Sequence, residues 1–130
     1  MDRRGLLGAA VAAAAATGAM AQPSGSPVTV VLVLRVRPGR EEEFLTLLLP
    51  VLDAMRHEPT FINAVLHRDP EDPLRFMLYE TWGDLTDLVE VQMRRSYREA
   101  YWAALPGLLS APREVHLWQP LRADITMFTR

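Results

Sequence analysis

Asn63, His67 and Trp82 combine proton-accepting and hydrogen-bond-donating chemistry within a stretch of twenty residues. Imidazole is the side chain best suited to exchange a proton near neutrality, so His67 is the preferred proton acceptor. The Trp82 indole N–H donates and never accepts, which suits an anionic oxygen, and the Asn63 amide adds a second donor. Side chains an even number of residues apart on a strand share a face. Asn63 and His67 therefore point one way, and Glu80 points with Trp82, where its carboxylate can orient a donor or pair with an arginine. Tyr97 and Tyr101 stand four apart, on one helical face, and with Tyr79 and Glu80 they form the candidate set for binding a ring. Each residue has a plainer assignment: Trp82 as a core anchor, Asn63 as a strand-edge or dimer-contact amide, His67 as a surface residue, the tyrosines as ordinary packing.

Other chemistry is excluded by what the chain lacks. There is no cysteine, hence no disulfide, thiolate metal site or cysteine nucleophile. No His/Asp/Glu group has metal-ligand spacing, and no glycine-rich loop could cradle a phosphate. All 14 basic residues are arginine, they are interspersed with 16 acidic ones, and the net charge is −2. No basic stripe for nucleic acid results. Arg94, Arg95 and Arg98 read as a solvated helix face, the alternative being a patch that attracts an anion. His57 and His116 read as exposed or interfacial.

The elements that must position these residues follow from pattern. Residues 1–21 form a signal peptide, with Arg3-Arg4, an apolar run over 6–16 and an Ala19-Met20-Ala21 cleavage site. Its apolar run is too short for a membrane span. Export by the twin-arginine or the general route would leave a periplasmic or secreted protein that begins at Gln22. Residues 22–27 are a Pro/Ser/Gly linker, 28–121 the domain and 122–130 a tail. Within the domain, 28–36 is a strand, and Pro38-Gly39 turns into a helix with three glutamates at its start, Pro50 kinking it and Glu58-Pro59 ending it. Residues 61–68 and 74–82 form a hairpin. Asp84 caps a helix reaching about Arg94, Ser96 with Glu99 makes a capping box for a second, Pro106-Gly107 loosens its end, and 114–121 is the last strand. This β-α-β-β-α-β order is the ferredoxin-like α+β arrangement, an antiparallel sheet with its helices on one face. The other face carries apolar side chains as well, so a second copy should cover it in a homodimer.

The run from Val36 to Phe44 (Val-Arg-Pro-Gly-Arg-Glu-Glu-Glu-Phe), Glu58-Pro59, the hairpin from His67 to Pro73 and Tyr79-Glu80-Thr81-Trp82 resemble the antibiotic biosynthesis monooxygenase domain family. The resemblance spans about residues 28–121. It implies a dimeric α/β barrel with a pocket between sheet and helices, and a monooxygenase joining molecular oxygen to a small quinol or phenolic aromatic. Asn63 and Trp82 then match donor positions for a developing oxyanion. Haem-degrading members use a helical histidine, and none lies between His67 and His116, so the resemblance implies no cofactor. Two positions depart from the family pattern: Thr60 replaces a glycine, and Tyr97 stands near a frequent histidine. The alternative is a non-catalytic dimeric binding protein with the same pocket.

Overall fold

The computed structural model describes residues 25–126. The expected signal peptide and cleavage site lie outside the described residues, as does the end of the tail. The elements are β1 (Val28–Arg35), α1 (Glu41–Met55), β2 (Phe61–Asp69), β3 (Asp72–Trp82), α2 (Leu85–Glu90), α3 (Glu99–Leu108) and β4 (Glu114–Trp118). Two 3₁₀ turns, Gln92–Arg94 and Ser96–Arg98, link α2 to α3. The strands pair antiparallel throughout, in the order β2-β3-β1-β4. The expected ferredoxin-like α+β fold is the fold observed.

Local chemistry accounts for the elements. Gly39 takes the turn before α1 at φ 82°, a backbone region that a β-carbon disfavours. Glu41, Glu42 and Glu43 then meet the positive end of the helix. The helix buries Phe44, Leu48, Val51 and Met55, a stripe at helical spacing, and runs on through the exposed Pro50. On β1, alternate side chains from Val28 to Leu34 are buried beneath the helices. Facing them across the ladder are Trp82, Glu80, Leu78 and Phe76.

The second helical region departs from its pattern. Asp84 caps α2 as expected, its side chain accepting from the Asp87 N–H at 3.2 Å. The helix nevertheless stops at Glu90, well short of Arg94. Gln92 is drawn inward, 1% exposed, with its amide donating to Asp87 and Glu58. Satisfying that buried amide bends the backbone off the α path. Ser96 makes no capping bond; α3 starts later, at Glu99, with Arg98 at its N-cap. Pro106 and Gly107 do not loosen the end, since the Leu109 N–H closes the last turn on the Leu105 carbonyl at 3.1 Å.

The other departure is a β-bulge. Phe61 lies opposite Trp82, whereas Asn63 lies opposite Thr81, so one extra residue sits between them on β2. Alternation alone would put Phe61 and Asn63 on one face. The bulge puts them on opposite faces.

Candidate functional site

The bulge divides the expected site residues into two groups. Asn63 faces away from the helices with Thr81, whose hydroxyl meets that of Thr29 at 3.0 Å. His67 and Tyr79 share that helix-free face, their rings 5.9 Å apart, and the exposed His67 Nδ1 lies 3.3 Å from the Met77 carbonyl. Trp82, Glu80 and Tyr101 lie on the helix side and are buried. The expected trio of Asn63, His67 and Trp82 is therefore not a single constellation.

On the covered side, Trp82 is fully buried and its indole Nε1 donates to Glu80 Oε1 at 2.9 Å. Its donor is thus committed within the protein, and its ring also anchors the core against Phe61, edge-on at 5.4 Å. Glu80 borders a small cavity between sheet and helices, bounded by Leu78, Met55 and Leu48 together with Arg98, Tyr101 and Arg113. The interior volume is about 20 Å³, room for about one water molecule. Burial holds the Tyr101 phenol far above its usual range, so it stays protonated and able to donate. The same desolvation lowers Arg113 from its ordinary value, with Tyr101 and Glu80 pulling it back.

Tyr97 does not line this cavity. Its hydroxyl donates to Glu58 Oε2 at 2.9 Å, in a network where Gln92 and Arg95 also reach Glu58. Burial pushes the Glu58 carboxyl up, but the hydrogen bonds from Tyr97, Gln92 and Arg95 outweigh it and leave the group below its ordinary value. Thr60 joins the same region, its hydroxyl donating to Asp87 Oδ2 at 2.7 Å and tying the loop before β2 to α2. Tyr97 and Thr60, the two departures from the family pattern, are thus bound into one polar seam.

Two charged residues of the cavity, Arg98 and Arg113, were not among the expected site residues. Arg98, read as part of a solvated helix face, is only 4% exposed. The signal for it exists in the sequence, since Arg98, Tyr101, Leu105 and Leu108 follow a helical stripe, and the other three are the buried residues of α3. Arg113 has no such periodicity; it precedes β4, and its guanidinium lies over the Trp102 ring at 4.8 Å. Trp102 and Arg113 also line an open groove of about 560 Å³ beside Arg37, Leu105, Pro106 and Leu109. The stacked pair is a wall common to the groove outside and the cavity inside.

Fold and site together define a class: a ferredoxin-like α+β domain with an ionisable cluster buried between its sheet and its helices. The model of the family described as antibiotic biosynthesis monooxygenase matches residues 27–104, and the chain belongs to that family. A candidate monooxygenase of Pestalotiopsis microspora is 35% identical over 99 residues, covering 75% of this chain and 82% of that protein. Among solved structures, a candidate antibiotic biosynthesis monooxygenase of Nitrosomonas europaea superposes with a TM-score of 0.70 at 17% identity, covering 77% of this chain and 95% of that one. A Mycobacterium tuberculosis protein gives a TM-score of 0.69 at 23% identity, over 77% of this chain and all of its own. At those identities the structural likeness speaks for the fold.

Proposed function

We propose that this protein is an exported, homodimeric monooxygenase that joins molecular oxygen to a small quinol or phenolic aromatic without a cofactor, using the cavity beneath the sheet. The observation that carries this reading is Glu80: a buried carboxylate at the edge of an apolar cavity, held in place by the Trp82 N–H. Family membership supports the reaction class.

The chemistry asks little of the protein beyond binding and proton handling. A quinol that loses a proton becomes electron-rich enough to react with oxygen. One oxygen atom enters the ring, the other leaves as water, and the substrate supplies all four electrons. Glu80 takes the proton in this scheme, since His67, the acceptor that residue type favours, lies on the other face. Tyr101, protonated, and Arg113, cationic, offer donors to the developing anion. The low-dielectric surroundings strengthen those contacts.

The helix-free face supports the dimer. Val31, Val33, Met77 and Tyr79 are half-buried there with no helix above them, and a second copy would cover them. Among the described residues, no helix is long and apolar enough to cross a membrane.

Oxygen consumption against a panel of quinols and anthrones tests the reaction. Uptake that depends on Glu80 supports it. A protein that binds such rings but consumes no oxygen would instead be the non-catalytic binding protein. Mass spectrometry of periplasmic protein should find Gln22 as the first residue, and an uncleaved chain in the cytoplasm would overturn the export.

A further inference from the structure

Arg98 carries an arrangement that the fold does not explain. Its side chain is almost wholly buried, with the guanidinium 5.7 Å from the centre of the Tyr97 ring, yet Nε and Nη2 make no hydrogen bond. No carboxylate among the described residues lies close enough to form an ion pair with it. A buried guanidinium with unmet N–H donors is costly even beside an aromatic ring, so it persists where something else meets those donors. Nε and Nη2 lie on the same edge of the guanidinium plane. Their N–H bonds run parallel, the spacing that matches the two oxygens of a carboxylate.

The charges around the cavity agree with that geometry. Arg98 and Arg113 face one carboxylate, Glu80, while Tyr101 is neutral, so one positive charge is in excess. Glu80 is already engaged by Trp82, and Arg113 is stacked on Trp102. Both arginines have an aromatic neighbour, but Arg98 alone of the two has buried N–H groups without an acceptor. Around them the walls are largely apolar, with Leu78, Met55, Leu48 and Trp102 among the lining residues. A ring is larger than the closed cavity. To take one, the cavity must join the groove beyond the shared Trp102–Arg113 wall, a groove whose volume is in the usual range for small-ligand sites.

We infer that the ligand of this cavity is an aromatic carboxylate, its acid group held side-on by Nε and Nη2 of Arg98 and its ring lodged among the apolar walls. The inference rests on the cavity being the substrate site, and it narrows the proposed quinol or phenol to one bearing an acid group. Binding, however, can be read without oxidation.

The full-length protein is titrated under argon with benzoate and 4-hydroxybenzoate, and with benzamide and 4-hydroxybenzamide as uncharged counterparts. Calorimetry gives the affinity, and the summed fluorescence of the three tryptophans gives a second readout. Each acid should bind at least about tenfold more tightly than its amide, the scale of one charge-assisted pair. Arg98→Gln should abolish that preference while holding or raising the melting temperature, since it removes an unpaired buried charge. Arg98→Lys keeps the charge but loses the parallel donors, and should weaken the acids several-fold while leaving the amides unchanged. It also serves if the glutamine variant fails to fold. Equal affinity for acid and amide, no binding of either, or a preference that survives both substitutions would overturn the inference. Acid binding without oxygen uptake on any quinol would uphold it and overturn the oxidation instead.

Discussion

The two faces of the sheet share strands but differ in what they do with polar side chains. Beneath the helices, Glu80, Arg98 and Tyr101 are almost wholly removed from water. On the helix-free face, Asn63, His67 and Tyr79 remain at least partly exposed. A histidine exposed to solvent has ordinary chemistry, whereas a carboxylate or guanidinium in an apolar enclosure has its interactions strengthened. Residue type alone favoured His67 as the reactive group; position favours Glu80. Burial decides which ionisable groups are available for special chemistry.

The sharpest break of this comparison is Glu80→Gln. If the covered face carries the reaction, oxygen uptake should fall ~10²–10⁴-fold, the range for a lost general base. The glutamine carbonyl can still accept from Trp82, so the melting temperature should change little. Undiminished uptake would move the chemistry away from this face. Next in size is Trp82→Phe, which keeps most of the ring but strands a buried carboxylate oxygen. Denaturant unfolding should register a loss of about 1–3 kcal/mol.

On the helix-free face, Val31→Glu should shift sedimentation at micromolar concentration from twice the chain mass to the chain mass, with the fold retained by circular dichroism. A variant that stays dimeric would show that another surface holds the copies together. Asn63→Ala and His67→Gln should leave uptake within about twofold, as most substitutions away from a site do. A loss resembling that of Glu80→Gln would mean that the two faces act as one site, for instance across the dimer.

The smallest effect concerns the seam around Glu58. Its carboxyl is held below the ordinary carboxylate value when folded, so the stability it contributes is complete above the unfolded pKa. That stability is lost as pH falls through the lower, folded value. Acid unfolding curves of the wild type should therefore steepen below about pH 4.5, and Glu58→Gln should remove that part of the slope.

The strands and α1 were legible because their side chains repeat with periods of two and 3.6 and end at Pro, Gly and Asp. Family membership was legible through the glutamate cluster after Pro38-Gly39 and through Glu80-Thr81-Trp82. The bulge was not. A single extra residue on β2 leaves no mark in the local pattern, yet it inverts the facing of Asn63 and His67 relative to Phe61. Alternation counted from Phe61 would have carried both polar side chains beneath the helices to join Trp82. The break after α2 was hidden for a related reason. Gln92 satisfies helical spacing as well as Leu88 does, and only its bonds to Glu58 and Asp87, distant in sequence or across a turn, show that it turns inward. Arg98 was legible by period but was read by charge, because arginines on helices are mostly solvated.

The Trp102–Arg113 wall has a consequence for rates. A guanidinium stacked on an indole is worth about 0.5–2 kcal/mol, depending on how far it is desolvated. The indole N–H also donates to the Met93 carbonyl at 3.3 Å, so opening costs at least that much. The accessible form is then at most about a third of the molecules, and apparent affinity falls by the same fraction. Capture then waits on the wall as much as on diffusion. Ligands of different structure should enter at similar speeds and differ mainly in residence time. Stopped-flow traces should accordingly level off as ligand concentration rises, at a ceiling set by the protein, and Trp102→Ala should lift that ceiling for every ligand alike.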